Sequence, residues 1–239
     1  MNPKADRARK HHSHTVTISM HSDHKPEPLW HVQIAVIVAL ALQIGLPDRL
    51  VVGPRYLLPA LEALLLLALS LMAPKQQAHH FVIKRTTAIS MIVLTSLANM
   101  MSLALLVRIL LQGKTAGGAQ LAGSDLLLNA VNIFCTNIIV FGLWYWEMDG
   151  GGPTKRRSPE HEFWDFLFPQ ILNPEIAPPR WRPAFVDYLY VAATNATAFS
   201  PTDTLPLTHR AKLVMLLQAL VSLLTVALVA ARAVNILAG

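Results

Sequence analysis

The chain has 239 residues, of which 53% are hydrophobic and only 14% are charged, whereas an ordinary soluble domain has about 25% charged residues. The hydrophobic residues form long uncharged runs, a pattern that argues against a soluble enzyme and favours a membrane protein. Cys135 is the single cysteine, which excludes an intramolecular disulfide framework and a zinc site with several cysteines. We interpret Cys135 as a small buried residue.

Five apolar stretches are long enough to cross a bilayer, whose hydrocarbon core of roughly 30 Å needs about 20 helical residues. They lie near residues 31–47, 56–72, 86–111, 126–146 and 211–237. Each segment must satisfy its own backbone hydrogen bonds in hydrocarbon, so we expect helices rather than barrel strands. The sequence therefore predicts an all-α polytopic membrane protein, with a basic His-rich tail over 1–30 and a transmembrane helical domain over 31–239.

Basic residues are concentrated on one side of these predicted spans. The N-terminal tail and the second and fourth connections together hold 15 of the 20 Lys and Arg residues, whereas the first and third connections hold 3. Because cytoplasmic loops carry the excess of Lys and Arg, we predict a cytoplasmic N-terminus. The five tryptophans fall at the same cytoplasmic ends and in the fourth connection, where indole rings favour the interface. The expected location is the bacterial plasma (inner) membrane.

The least regular part of the sequence is residues 160–203, which we predict to be an interfacial or re-entrant element. The aromatic run over 163–168 is too short to span and is typical of a segment lying in the interface. Residues 183–199 are moderately apolar and contain Asp187 and Asn195, which predicts a half-helix that enters the membrane partway. Irregular backbone at that depth is permitted only where it is buried in protein or lines water.

A set of residues in the last third forms a recognisable pattern. It comprises 187–190, 199–203, Arg210, Ser222 and 233–237. From about residue 140 to 239 the chain resembles a family of uncharacterised bacterial integral membrane proteins, a domain of unknown function. Three residues depart from the family pattern, namely Ala198, Thr202 and Arg232. The resemblance implies a membrane protein without an assigned activity.

The same stretch resembles, in a degenerate form, a potassium-channel pore loop, with an aromatic helix, a Thr-rich segment, an acid and a following span. The candidate pore or re-entrant residues are Asp187, Thr194, Asn195, Thr197, Thr202 and Asp203. A potassium filter uses the carbonyl groups of a Thr-Val-Gly-Tyr-Gly sequence, and no glycine precedes Asp203 here. We therefore expect no potassium selectivity, and a nonselective pore remains one hypothesis.

Four charged residues are predicted at one depth near the outer ends of the spans. They are Glu62, Arg108, Asp125 and Arg232. An intramembrane acid faces the bundle or a cavity, so Glu62 is expected to pair with Arg108 or Arg232, or else to bind a proton or cation. The arginines can also reach the interface without a partner.

Amide side chains on the fourth span are interpreted as interhelical hydrogen-bonding groups, because Asn129, Asn132 and Thr136 share one face. Five histidines in the tail are candidate metal ligands, and the alternative is a basic tail lying against anionic lipid. They are His11, His12, His14, His21 and His24.

The sequence contains no nucleophile elbow and no paired carboxylates at catalytic spacing, so we predict no enzyme and no cofactor. The expected partners are the lipid bilayer and further copies of the chain, and not nucleic acid. The leading hypothesis is a pore-forming or transport-related oligomer, and the alternative is a nonconducting membrane scaffold. The segment over 183–203 separates the two, since a water-lined segment favours transport and a dry one favours a scaffold.

Overall fold

The computed structural model describes residues 29–72, 78–112, 123–158, 163–179, 181–198 and 203–237, and these are predominantly helical. The helices are α1 (Trp30–Gly45), α2 (Leu57–Met72), α3 (Ala78–Gln112), α4 (Gly123–Met148), α5 (Pro169–Leu172), α6 (Phe185–Ala198) and α7 (His209–Leu237). Two short strands, β1 (Phe166–Leu167) and β2 (Leu205–Pro206), pair in antiparallel fashion. Single 3₁₀ turns occupy Asp48–Leu50, Asp149–Gly151 and Lys155–Arg157.

Three of the helices are long and apolar enough to cross a membrane. The qualifying segments are Ile83–Leu111 within α3, Ser124–Gly151 at α4 and His209–Ala231 within α7. Their length and composition are consistent with a membrane protein. The largely helical fold that the sequence predicts is confirmed, and the five full spans remain a prediction.

The first two apolar stretches form shorter helices than the other three. Helices α1 and α2 have 16 residues each, which corresponds to about 24 Å at 1.5 Å per residue. Helix α1 ends at Gly45, just before Pro47, and the 3₁₀ turn Asp48–Leu50 follows. Leu50 is fully buried and this turn packs against α3, so the α1–α2 connection belongs to the packed bundle.

Helix α4 lies at the centre of the bundle, where it packs against α1, α3, α6 and α7. Its C-terminal half carries Tyr145 and Trp146 into a buried cluster that also contains Phe166 and Phe185. Its N-terminal half belongs to a second, aliphatic cluster formed with α3, α7 and the α1–α2 connection. The aromatic cluster therefore fixes one end of the bundle and the aliphatic cluster fixes the other.

The chain leaves α4 through a glycine turn. Gly150, Gly151 and Gly152 have φ angles of 57°, 81° and 100°, which is left-handed backbone that glycine adopts without strain. Strand β1 then pairs Phe166 with Pro206 of β2. This pairing places the segments before and after α6 at the same end of the bundle, next to the start of α7.

Cys135 is exposed, so its interpretation as a buried residue was wrong. Leu128 and Val131 on the same helix are also exposed, at 67% and 48%. Spacings of three and four residues place all three on one helical face. Although α4 is central, this face of its N-terminal half points away from the bundle.

Candidate functional site

The candidate pore residues are dispersed around α6 in the structure. Asp187 Oδ2 accepts a hydrogen bond of 2.8 Å from the backbone N–H of Ala184 and so caps the start of the helix. Thr194 and Thr197 donate to carbonyl groups of their own helix, and Asp203 is exposed. Thr202 lies outside the described residues. Among the five that are described, Asn195 is the buried one.

Asn195 belongs to a buried polar cluster between α4, α6 and α7. Its Nδ2 lies 2.8 Å from Gln218 Oε1, 3.0 Å from the Met215 carbonyl oxygen and 3.3 Å from the Tyr145 hydroxyl. The Tyr145 hydroxyl donates to the same Gln218 oxygen, and Gln218 Nε2 donates to the Ala192 carbonyl at 2.8 Å. These polar groups therefore satisfy one another and join the three helices.

Helix α6 also approaches α4 very closely. A Cβ built on Gly142 would lie 3.1 Å from the Leu189 Cα and 3.3 Å from its Cδ1. Ala192 and Ala196 of α6 are completely buried. Small residues at these positions allow the two backbones to pack without an intervening layer of side chains, and this face of α6 is buried in the bundle.

Amide groups of α4 make two further helix-to-helix hydrogen bonds. Asn132 Nδ2 donates to the Leu42 carbonyl of α1 at 2.9 Å, as the interhelical interpretation predicts. Asn137 Nδ2 donates to Ser222 Oγ of α7 at 3.0 Å, whereas Thr136 donates to the Asn132 carbonyl of its own helix. These bonds hold α1 and α7 against the central helix.

Glu62 is completely buried between α1, α2 and α3. Its Oε1 accepts a long hydrogen bond of 3.4 Å from Gln43 Nε2, and Thr95 of α3 lies beside the carboxyl group. The Glu62 Oε2 atom has no hydrogen-bond partner among the described residues. Glu62 is therefore a buried acid whose described contacts are uncharged side chains.

The structure does not bring Glu62 together with Arg108. Thr95 marks the level of Glu62 on α3, and Arg108 lies about 20 Å further along that helix at 1.5 Å per residue. Asp125 is exposed at the start of α4. The side chain of Arg232 lies outside the described part of the chain, so a pair between Glu62 and Arg232 stays a prediction.

A small cavity lies one helical turn from Glu62, at the α1–α2 connection. Its lining residues are Gln43, Leu46, Val51, Val52, Arg55, Leu58, Pro59, Ala98, Met101 and Ser102. Gln43 both lines the cavity and contacts Glu62. Arg55, beside the cavity, lies 3.5 Å from the Asp48 carboxylate, which is mostly exposed.

Asp165 is the centre of a second polar site, at the opposite end of the bundle. Its buried carboxylate accepts hydrogen bonds from Thr208 Oγ1 at 2.5 Å, from Arg210 Nε at 2.6 Å and Nη2 at 2.5 Å, and from the Gly150 N–H at 3.1 Å. The site joins the glycine turn, the β1 segment and the start of α7.

Asp149 extends this site to α6. Its Oδ1 accepts hydrogen bonds from the backbone N–H groups of Asp165 and Phe166 at 2.7 and 3.1 Å. Its Oδ2 accepts one from the Tyr188 hydroxyl at 2.5 Å. The buried Arg156 lies over the Tyr188 ring at 4.9 Å and donates to the carbonyl groups of Trp146 and Asp149. We name Asp149, Arg156, Asp165, Tyr188 and Arg210 the anchor network.

The sequence did not indicate the anchor network as a site, because its members lie up to 61 positions apart in the chain. Arg156 and Arg210 were counted as basic residues of the fourth connection. Two signals were present: Tyr188 and Arg210 belong to the pattern that resembles an uncharacterised membrane-protein family, and the acid Asp165 stands inside a run of aromatic residues. Such a buried carboxylate requires donors, but the sequence does not identify which ones. All five side chains have protein partners in the structure, so the arrangement holds these segments together.

The described residues contain no group of three or more His, Cys, Asp and Glu side chains that could hold a metal ion. The tail histidines, His11 to His24, lie outside these residues. Comparisons with family models, with curated proteins and with solved structures found no match to this chain. The resemblances noted in the sequence therefore stay predictions.

Proposed function

We propose that the chain is a multi-pass protein of the bacterial plasma membrane with its N-terminus in the cytoplasm. On α3, Arg85 and Arg108 bracket the apolar part of the helix, and on α4 the bracketing residues are Asp125 and Glu147. Each pair is separated by roughly 33 to 35 Å at 1.5 Å per residue, close to the roughly 30 Å of a hydrocarbon core. The excess of basic residues at the Arg85 end supports the orientation.

In this placement α1 and α2 form a hairpin that enters from the cytoplasmic side and turns within the outer leaflet. The connection packs beside Ala98, Met101 and Ser102 of α3, and α3 continues about 15 Å beyond Ser102. The proposal keeps five membrane segments and gives the first two a shallower reach than the other three.

The orientation is tested with reporter fusions. A cytoplasm-active reporter fused at Ser158 is expected to be active, and the same reporter at Thr115 is expected to be silent, because basic residues cluster near the first position and not near the second. Activity at Thr115 with silence at Ser158 would overturn the orientation.

For the activity we propose a nonconducting membrane scaffold or interaction protein. The observation that carries this proposal is the buried packing of α6 against α4 and α7. A solute path along residues 183–203 requires polar groups that face water. The buried amide of Asn195 instead contacts Tyr145, Gln218 and the Met215 carbonyl, and the neighbouring Ala192 and Ala196 pack directly in the bundle.

Cysteine accessibility tests this proposal in a Cys135→Ser background. Asn195→Cys is expected to resist a charged, water-soluble thiol reagent, whereas Thr197→Cys, which is exposed on the same helix, serves as the matched reactive control. Purified protein in liposomes is expected to give no flux of potassium, sodium, protons or chloride above protein-free vesicles. Rapid reaction at residue 195 together with ion flux would overturn the scaffold proposal.

A second candidate function is a transport-related oligomer, and the buried Glu62 beside the cavity is the observation that favours it. Proton flux in liposomes that is abolished by Glu62→Gln would support this candidate over the scaffold. Disulfide cross-linking through Cys135, which is exposed on α4, tests whether copies associate by that face. Monomers alone after oxidation would exclude association through the Cys135 face.

A further inference from the structure

We propose that the Glu62 carboxyl group reversibly binds a proton, which it exchanges with water on the outer side through the cavity at the α1–α2 connection. This inference goes beyond the scaffold function, since a proton-binding group can regulate a nonconducting protein as well as drive a transporter. It rests on the contacts of Glu62 and on the position of the cavity.

The hydrogen-bonding groups around Glu62 fit a protonated carboxyl. Thr95 Oγ1 donates its hydrogen to the Met91 carbonyl at 2.9 Å, and a hydroxyl has only one hydrogen to donate. The hydrogen of this hydroxyl is thus directed at its own helix, and the Glu62 Oε2 atom has no hydrogen-bond partner among the described residues. A buried carboxylate needs donors more than a neutral carboxylic acid does.

The ionised form has one described donor. Gln43 Nε2 reaches Glu62 Oε1 at 3.4 Å, and Glu62 Oε2 has no hydrogen-bond partner among the described residues. A weak amide donor stabilises a carboxylate less than an arginine or several N–H groups do. The ionised form is therefore held by this one weak donor.

Charged groups on the surrounding helices lie at a distance from Glu62. On α3, Arg85 lies about 15 Å and Arg108 about 20 Å along the helix from Thr95. At the α1–α2 connection, Arg55 lines the cavity and contacts Asp48. On α1 the residue that faces Glu62 is the uncharged Gln43. The proton equilibrium at Glu62 is thus governed by burial and by neutral partners.

The cavity lies on the outer side of Glu62, at the α1–α2 connection. It has about 30 Å³ of space for water, which holds one or two water molecules. Leu58 lines it one helical turn before Glu62, and Gln43 connects it to the carboxyl group. Glu62 does not itself line the cavity, so in the proposed exchange step a water moves from the cavity past Gln43 to the carboxyl group. The O–H bond of Glu62 breaks, this water takes the proton and leaves as hydronium, and the carboxylate keeps its hydrogen bond from Gln43.

A lipophilic carbodiimide tests the proposal on the unaltered protein, because it reacts with protonated carboxyl groups in membranes. The acid proton moves to a carbodiimide nitrogen, the carboxyl oxygen bonds to the central carbon, and rearrangement gives a stable N-acylurea that peptide mass spectrometry locates. In right-side-out vesicles we expect labelling of Glu62, at a rate that falls about tenfold per unit of external pH once the group ionises. Changing only the internal pH is expected to leave the rate unchanged.

Two variants sharpen this experiment. Gln43→Leu removes the donor to the carboxylate, so labelling is expected to persist to higher external pH than in the wild type. Ser102→Leu fills the cavity on the α3 side and is expected to slow the response of labelling to an external pH jump at least fivefold. Glu62→Gln confirms that the adduct is on this residue.

Absence of the adduct at every external pH would overturn the proposal, as would a labelling rate that follows the internal pH. Both results are read from wild-type protein and so do not depend on the folding of any variant. They are also independent of ion flux and of thiol reactivity at residue 195, which test the scaffold function. A failure of one proposal is therefore distinguishable from a failure of the other.

Discussion

Replacing Arg210 with glutamine removes the guanidinium group that donates two hydrogen bonds to the buried Asp165 carboxylate. Asp165 is completely buried and keeps its bonds from Thr208 and from the Gly150 N–H. The Arg210 side chain is 47% exposed, so the loss is smaller than the about 3 to 5 kcal/mol found when a fully buried pair is broken. We expect a loss of about 2 to 3 kcal/mol, the cost of leaving buried charge-assisted bonds unmade.

The assay is thermal unfolding of detergent-solubilised protein, followed by tryptophan fluorescence. A loss of this size in a chain of this length lowers the Tm by about 5 to 10 °C. Asp48→Asn is the matched control, because the Asp48–Arg55 ion pair has the same chemistry but the Asp48 side chain is 76% exposed. Such exposed pairs contribute about 0 to 1 kcal/mol, so the control is expected to change the Tm by no more than about 4 °C.

A double-mutant cycle with Asp165→Asn separates the pair from its surroundings. The double variant is expected to lose about 1 to 2 kcal/mol less than the sum of the two single variants, since the interaction can be removed only once. Strict additivity, or an Arg210→Gln Tm no lower than that of the Asp48→Asn control, would refute the anchoring role that we assign to this arginine.

Three further changes probe the packing of the bundle. Gly142→Val is expected to destabilise the protein by about 1 to 3 kcal/mol, because the new side chain meets the Leu189 backbone; an unchanged Tm would show that α6 does not pack against this glycine. Gln218→Leu is expected to lower the Tm by about 4 to 8 °C, because the buried Tyr145 hydroxyl loses its acceptor and the Ala192 carbonyl loses its side-chain donor; retained stability would contradict that network. In membranes Cys135 is expected to react readily with N-ethylmaleimide and slowly with a charged maleimide, and equal rates would place it in water rather than in lipid.

Hydropathy located the helices well and their ends less well. The predicted span 86–111 corresponds to α3, but the helix begins earlier, at Ala78. The predicted span starts late because Lys84 and Arg85 are too polar for a membrane segment. The helix nevertheless extends through them, since no glycine or proline interrupts it there. Backbone hydrogen bonding continues through charged residues, whereas hydropathy does not. Glu62 and Arg108 were predicted at one depth for a related reason. The outer ends of all predicted spans were assumed to lie at the same level.

The candidate site shows a sharper limit. The interhelical hydrogen bond of Asn132 could be predicted, because helical spacing alone shows on which side of α4 this residue lies. The contacts among Asp149, Asp165 and Arg210 could not be predicted, because these residues lie up to 61 positions apart in the chain. They are brought together by the pairing of β1 with β2 and by the glycine turn. In the same way, the single sequence named Asn195 as a polar residue of a re-entrant segment but could not supply Tyr145 and Gln218 as its partners.

The unequal lengths of the helices make bilayer thickness a variable for this protein. Helices α1 and α2 are about 24 Å long, whereas the apolar parts of α3 and α4 match the thickness of an ordinary bilayer. In the proposed placement the bilayer next to the hairpin must therefore become thinner, or its acyl chains must tilt. Such mismatch costs fractions of a kcal/mol per ångström and sorts proteins among membranes. Lipids with short acyl chains should therefore gather on the α1–α2 side. Two copies that meet through their α1–α2 hairpins would deform one common area of bilayer, at a lower free-energy cost than two separate copies.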